Sequence, residues 1–511
     1  MEGDSTQFPV YLPFASEWIS FGVFLAGILI AIGIAEFAQK RYQWPGETTR
    51  KIVHVLVGVL IFWARFLFET PLPPIVLATI FTILNALALK TSMFQGMHGT
   101  TRLTLGTTFY PLSFLILVVI FWYRDPVILL LSFTILAIGD PLAAQVGETV
   151  AHPRRFTLWK DTKSLQGSLT LGVASFVITT AGLYGFGRLP AIVPPPVHFI
   201  FLTGVAVALV SMVAEAISRA GSDNLTLPLS AAFTMDITLH GTGVSPVMFF
   251  VWLLIAFLFA YIAYQAHVLT LNGTAAAFLL GTFIFGIGGL QFMVPLATFF
   301  VLSSALSRLG GQQKNLLKTV YEKTGNRDMM QVMANGGVAG IMALLWHFTH
   351  QDALYYGFLG SLAAATADTW ATELGIFARQ RPRNIVTFRP VEAGTSGGIT
   401  PFGTTGALLG SGILSLSGWV IPTDLIQPFF RSRILLIIIL SGLIGAMVDS
   451  LLGATIQGQY RCPVCRKSTE KKIHCSGSET RLIRGYRWLN NDVVNFICTA
   501  TGGVLVLVLL G

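Results

Sequence analysis

The chain has 511 residues, of which 53% are hydrophobic and only 11% charged, with a mean hydropathy of +0.69. Soluble domains carry about 25% charged residues, which excludes a soluble globular protein. The net charge of +9 is spread over short segments; no separate basic soluble domain exists, so nucleic acid is not a partner. The expected fold is all-α, a polytopic integral membrane protein with about 14–16 transmembrane helices in two bundles, each span needing about 20 mostly apolar residues.

The acidic start MEGDSTQF lacks a basic n-region, so Ser16–Ala38 is expected to be a retained first helix rather than a cleaved leader. Lys and Arg gather in Gln39–Lys51, His152–Lys163, Ser307–Arg327, Arg379–Arg389 and Arg461–Arg487, and the connections between them are nearly free of both. By the positive-inside rule these basic loops face the cytoplasm and the N-terminus lies outside. Basic segments interleaved with Gly and Ser, next to acids in membrane spans, also suit a polyanionic nucleotide. The alternation of basic and apolar stretches breaks near Gly241–Val244, which divides the chain into domains 1–240 and 241–511. Two spans are ambiguous: Leu225–Ile237 is short, and Asn272–Phe300 fits either two passes or a re-entrant hairpin.

In the first half, Gly46-Glu47 leads into Arg50, Lys51 and His54, with Arg50 and His54 one turn apart on a helix face. Arg102 and the segment GTTFYP (106–111) follow. Asp140 then lies deep in the apolar run Leu129–Val150. A carboxylate at the centre of a span costs roughly 2.5–3.5 kcal/mol, so such residues mark working sites. Pro141 interrupts the helical ladder beside it and frees backbone groups, which lipid tolerates only where they line a cavity. Glu148 returns to roughly the face of Asp140, so both acids could address one divalent metal. Lys163, Ser164, Gly167 and Ser168 open the next helix, where backbone N–H groups and an ammonium suit phosphate. Glu215 precedes Asp223 and Asn224. Cations on phosphate oxygens, acids for a metal and a positioned nucleophile are the requirements of phosphoryl transfer. No G-x-x-x-x-G-K-[ST] sequence occurs, which excludes a P-loop enzyme.

The second half reuses one spacing: Asp140-x-x-Ala143-x-x-x-Gly147 is matched by Asp368-x-x-Ala371-x-x-x-Gly375, and each is followed by a loop rich in Gly, Ser and Thr. Here that loop holds Thr395, Ser396, Gly397 and Gly398, a run of small residues whose N–H groups suit an anion, with Arg389 nearby. Arg308 and Lys314 supply cations, Glu373 and Asp449 further acids, and Asn491 and Asp492 open the last span. Cys462, Cys465 and Cys475 share a basic loop with His474. Thiols facing the cytoplasm stay reduced, and these residue types suit Zn²⁺. The adjacent His474–Cys475 pair and the missing second C-x-x-C fit a metal-free loop as well, so both readings stand.

The first-half motifs, the Glu47/Arg50-Lys51/His54 cluster with GTTFYPL, GDPLAAQVGE, KSLQGS and GSDNLTLPL, resemble the dolichol kinase/phytol kinase family of CTP-dependent lipid-alcohol kinases over roughly 46–237. The resemblance implies transfer of the terminal phosphate of CTP or another nucleoside triphosphate to an isoprenoid alcohol. It implies Mg²⁺ on Asp140 and Glu148, with phosphates at Lys163, Ser164, Gly167, Ser168, Asp223 and Asn224. SRLG, ANGG, ADTWATELG, GTSGGIT, VDSLLGATIQ, CPVC…HC and WLNNDVVN resemble the phytyl-phosphate kinase family over roughly 269–501. That likeness implies phosphorylation of an isoprenyl monophosphate to its diphosphate, with Asp368 and Glu373 as the metal acids, Arg308 and Lys314 as cations, and Thr395, Ser396, Gly397 and Gly398 as the phosphate cradle; Asp449 is a further candidate for Mg²⁺. The two reactions are consecutive, so a bifunctional kinase acting on phytol or geranylgeraniol is expected. The alternatives are a dolichol or polyprenol kinase, a cytidylyltransferase forming a CDP-lipid, and an isoprenyl-phosphate transporter.

Overall fold

The computed structural model describes residues 16–91, 104–189, 192–241, 245–308, 325–420, 428–475 and 477–510. The all-α membrane fold is borne out. Ten helices are long and apolar enough to cross a membrane among these residues, and the strands present are short. Two compact units divide the chain, Met1–Phe250 and Val251–Gly511.

The first unit contains α1 (Glu17–Tyr42), α2 (Gly46–Leu67), α3 (Leu72–Thr91), α4 (Gly106–Phe121), α5 (Pro126–Thr134), α6 (Asp140–Thr149), α7 (Leu165–Phe186), α8 (Val197–Ala216) and α9 (Asp223–His240). A hairpin of β1 (Arg155–Thr157) and β2 (Thr162–Ser164) precedes α7. Asp125 caps α5, its Oδ1 accepting from the N–H groups of Val127 and Ile128 at 2.9 and 3.2 Å. Between α5 and α6 runs a π-helical turn, Ile135–Gly139. The ladder irregularity expected at Pro141 therefore falls just before Asp140, in a turn type common at functional sites. A carbonyl in this turn is used: Leu136 O lies 3.0 Å from His54 Nε2. The core is fully buried at Leu117, Val118, Leu136, Leu171, Val207 and Leu227.

The second unit holds α10 (Pro246–Gln265, which begins at the end of the first unit), α11 (Leu271–Arg308), α12 (Met329–Thr349), α13 (Asp352–Gly375), α14 (Pro401–Ser417), α15 (Pro428–Thr455) and α16 (Asn491–Leu510). Gly289, at φ 53° and ψ −138°, breaks α11. The stretch 271–308 is accordingly two helical segments. Around α13 pack α12, α14, α15 and α16, and every residue from Leu354 to Ala367 is buried. Small residues make this possible. Ala367, Ala407 and Ala446 form the seam where α13, α14 and α15 meet, and a Cβ on Gly360 would come within 2.6 Å of Gly502 O. Close helix approach through small residues replaces the hydrophobic drive that lipid removes.

Several helices fall short of the apolarity that marks a span, among them α2, α9, α13 and α14. They are the ones loaded with polar side chains, Arg50 and His54 on α2 and Asp368 and Glu373 on α13 among them.

Candidate active sites

In the first unit a cavity of about 1090 Å³ is lined by α2, α4, α6, the hairpin, and the starts of α7 and α9. One side is apolar, with Ile28, Ile61, Leu77, Phe81 and Phe114; the other gathers charge. Arg50, Lys51, His54, Asp140, Glu148, Lys163, Ser164, Gly167, Ser168, Asp223 and Asn224, the first-half residues singled out by sequence, all line it. Arg102 lies outside the described residues.

The cavity floor is a close helix crossing. Ser164 caps α7, its Oγ accepting from Gly167 N–H at 3.1 Å, while Leu165 N–H donates to Arg154 O at 2.9 Å, which leaves the Gln166 N–H to meet an anion. Gly167 presses on α6, where a Cβ would stand 2.9 Å from both Ala143 O and Ser164 Oγ. A Cβ on Gly147 would stand 2.6 Å from Ser164 Oγ. The D-x-x-A-x-x-x-G spacing therefore places Ala143 and Gly147 on the cap of α7 and Asp140 one turn earlier, in the cavity wall.

Lys163, the residue before the cap, reaches Glu215 Oε1 at 2.7 Å and Asp223 Oδ2 at 3.2 Å. Ser168 Oγ donates to Glu215 Oε2 at 3.1 Å. Burial alone would pull the Lys163 ammonium down; Asp223 and Glu215 outweigh it and hold the group above the ordinary lysine range. Asp140 is within electrostatic reach of Asp223, Lys163, Glu215 and Arg50, and its carboxylate makes no hydrogen bond among the described residues. Glu148 lies in the same cavity but is exposed and salt-bridged to Lys51 at 2.8 Å, and the acids that act electrostatically on Asp140 are Asp223 and Glu215. Arg50 donates to Thr104 Oγ1 at 3.3 Å, and Tyr110 donates to His54 O at 2.8 Å. Sequence reasoning noticed Glu215 but gave it no role; its spacing from Asp140 carries no local signal.

The second unit builds the same device. Thr400 caps α14, its Oγ1 accepting from Gly403 N–H at 2.9 Å. A Cβ on Gly403 would stand 2.8 Å from Ala371 O and 3.0 Å from Thr400 Oγ1. Gly375 lies against Thr400 and Gly403, as Gly147 lies against Ser164 and Gly167. A short hairpin again leads into the cap: β3 (Arg383–Asn384) pairs with β4 (Gly398–Ile399). The difference is the residue before the cap, Lys163 in one unit and Ile399 in the other.

The cavity here is about 1200 Å³ and is lined by Arg308, Asp368, Glu373, Thr395, Ser396, Gly397, Gly398, Asp449 and Asn491. Gly397, at φ 80°, sits so tightly on α15 that a Cβ would come within 2.5 Å of Ala454 N. Asp449 is within electrostatic reach of Asp368 and Glu470, and its Oδ2 is buried without a hydrogen bond. Arg389 is exposed and outside the lining, Asp492 is buried and also outside it, and Lys314 lies outside the described residues. Asn490 accepts from Val493 N–H at 3.1 Å, so part of that polar run is a helix cap.

Two lining residues went unrecognised in the sequence. Arg327 has its main chain pinned to the start of α11, by Arg327 N–H to Val268 O at 2.8 Å and Thr270 N–H to Arg327 O at 3.0 Å. Glu470 Oε1 accepts from Ser396 Oγ at 2.6 Å and from Gln457 Nε2 at 3.1 Å.

Each cavity thus gathers carboxylates beside a capped helix start, Asp140, Glu215 and Asp223 among them in one, and Asp368, Asp449 and Glu470 among them in the other. All-oxygen donors, including the unbonded Asp449 Oδ2, suit a hard divalent cation such as Mg²⁺. Apart from the second cavity, Cys462, Cys465, His474 and Cys475 converge with ligand atoms within 4.8 Å of one another. The Cys465 amide draws the Cys462 thiol down to about 6, whereas hydrogen bonding from Cys465 pushes the Cys475 thiol up to about 11.

Residues 254–503 match the family described as integral membrane protein DUF92. The chain is 33% identical to Protein PGR of Arabidopsis thaliana over 269 residues, 48% of this chain and 90% of that protein. It is 31% identical to the phytol kinase of Synechocystis sp. over 227 residues, 44% of this chain and 92% of that protein. Protein VTE6, chloroplastic, of Arabidopsis thaliana is 25% identical over 246 residues, 47% of this chain and 65% of that protein. No solved structure matches.

Proposed function

Since the chain belongs to the DUF92 family of integral membrane proteins, and with it to a phytol/phytyl-phosphate kinase-like family, we propose that it phosphorylates an isoprenoid lipid twice in succession. The first unit transfers the terminal phosphate of CTP or another nucleoside triphosphate to an isoprenoid alcohol such as phytol or geranylgeraniol. The second unit transfers another to the resulting monophosphate. Both sites face the cytoplasm, where the nucleotide is.

One observation carries this reading: the same capped helix start, crossed by the same D-x-x-A-x-x-x-G helix beside a cluster of carboxylates, occurs once in each unit. Phosphoryl transfer is mostly positioning and charge stabilisation. In each step the lipid oxygen forms a bond to the terminal phosphorus as the bond to the bridging oxygen breaks, and the nucleoside diphosphate leaves. In the first unit, the Gln166 N–H at the positive start of α7 receives a phosphate oxygen, and Lys163 neutralises charge on the group in transit. Asp140, unbonded and facing the cavity, accepts the hydroxyl proton or shares a bound cation. When bound, Mg²⁺ would rest on Asp140 with Asp223 in the first site, and on Asp368 with Asp449 in the second. The apolar side of the first cavity takes the hydrocarbon chain, so the hydroxyl end meets Asp140.

The test is purified protein in detergent with Mg²⁺, phytol or geranylgeraniol, and each of CTP, ATP, GTP and UTP labelled at the terminal phosphate. Lipid monophosphate and diphosphate are the expected products. A lipid carrying the nucleoside monophosphate, with pyrophosphate released, would make the protein a cytidylyltransferase, and unlabelled lipid with every nucleotide would remove the kinase reading.

A further inference from the structure

The second unit has a segment that the first lacks at the corresponding point. In the first, α8 and α9 are joined by residues 217–222; in the second, 456–490 lie between α15 and α16. The insertion is built from short strands: β5 (Gln459–Arg461) pairs with β6 (Ser468–Thr469) and β9 (Arg481–Arg484), and β7 (Ile473–His474) pairs with β8 (Ser478–Glu479). Strands of two to four residues with so little buried apolar surface do not hold a shape alone; small modules of this kind rely on disulfides or metals.

The geometry points to a zinc site, made by Cys462, Cys465, His474 and Cys475, that holds Glu470 and Gln459 against Ser396 in the second cavity. Sulfurs bound tetrahedrally about 2.3 Å from zinc lie about 3.8 Å apart, and the four ligand atoms here fall within 4.8 Å of one another. His474 Nδ1 is 3.5 Å from Cys465 Sγ and 3.2 Å from Cys475 Sγ, a spacing that one shared cation satisfies. The tip of the β5–β6 hairpin is shaped to match. Cys462 N–H donates to Lys467 O at 3.1 Å, and Arg466 N–H donates to Cys462 O at 3.0 Å, with Arg466 at φ 59°. Cys475 stands at φ 40°. Left-handed backbone at two non-glycine corners needs surrounding bonds to hold it, and metal ligation of the adjoining side chains is such a bond.

The link to the cavity is short. Cys462 follows directly on β5, and Glu470 follows directly on β6, with Tyr460 opposite Thr469 and Arg461 opposite Ser468. Closing the hairpin tip with metal therefore fixes its base. At that base Glu470 Oε1 accepts from Ser396 Oγ at 2.6 Å, and Gln459 Nε2 donates to Ser396 Oγ at 2.6 Å. Ser396 lies in the Thr395–Gly398 loop, whose Gly398 N–H donates to Thr395 O at 3.0 Å. The metal thus acts as an anchor for the anion-facing loop, and Glu470 is a positioning residue. This anchoring holds whichever reaction the cavity carries out.

The full chain, purified in detergent without added metal, is analysed for zinc by mass spectrometry, and hydrogen exchange is followed at residues 394–398. One zinc per chain is expected, lost in Cys462→Ser/Cys465→Ser and retained in Glu470→Ala. Exchange at Gly398 should rise by roughly tenfold or more in both variants. Wild-type protein stripped of zinc by a chelator repeats the comparison without substitution, should the cysteine variant fail to fold. Absence of zinc from the wild type would overturn the site, and unchanged exchange after zinc removal would overturn its anchoring role.

Discussion

Replacing Lys163 by Met removes the ammonium that faces Glu215 at 2.7 Å and Asp223 at 3.2 Å. The three side chains are 19%, 8% and 18% exposed, so the acids left behind are poorly hydrated and Asp140 adds to their repulsion. Breaking one side of a buried pair costs about 3–5 kcal/mol; because a fifth of Lys163 meets solvent, about 3 kcal/mol is expected. The chemical loss is separate. Removing one preorganised charge contact to a transferring group costs about 100- to 1000-fold in rate. Adding Glu215→Gln removes one stranded charge and should restore about 1–2 kcal/mol of stability while leaving the rate low. Thermal unfolding in detergent reads the first quantity, and labelled monophosphate formed from phytol reads the second. A Lys163→Met protein with wild-type rate, or a double variant no more stable than the single, would refute the reasoning.

The raised Lys163 ammonium also has a pH consequence: its stabilisation is fully present below the unfolded lysine value and is lost only as pH rises through the still higher folded one. The stability gap between wild type and Lys163→Met should therefore stay constant from roughly pH 7 to 9, as thermal scans would show. Gly403→Ala places a Cβ 2.8 Å from Ala371 O and should prise α14 from α13 at about 1–3 kcal/mol. In product assays it should lower diphosphate formation while monophosphate still appears. Thr400→Val removes the hydroxyl that receives Gly403 N–H, at a cost of about 1 kcal/mol, and Thr400→Ser should recover it in thermal unfolding. In the first unit, Ala78→Trp would fill the apolar side of the cavity, raising KM for long isoprenoid alcohols more than for short ones.

Much of this architecture was legible as chemistry in one dimension. Apolar runs marked the helices, and the repeated spacing from Asp140 to Gly147 and from Asp368 to Gly375 marked the crossings, because a helix contact every three to four residues leaves a local pattern. Ser164 and Gly167 were readable for the same reason. What escaped was what tertiary contact decides. Glu470 and Arg327 enter their cavity from distant segments, and nothing in their neighbours signals it. Arg389 and Asp492 looked equal to their neighbours in sequence but turn away, the one to solvent and the other into the packed base of α16. Glu148 is an acid on the expected helix, yet Lys51, from a helix distant in sequence, holds it.

Two independent sites in one chain are tested most directly by separating the two steps. Asp140→Asn and Asp368→Asn are assayed with labelled nucleoside triphosphate, Mg²⁺, and either phytol or phytyl monophosphate as acceptor. Asp368→Asn should convert phytol to the monophosphate and stop there; Asp140→Asn should leave phytol unlabelled yet still convert supplied monophosphate to diphosphate. Loss of both steps in both variants, in protein that unfolds at the wild-type temperature, would contradict the division of labour between the two units.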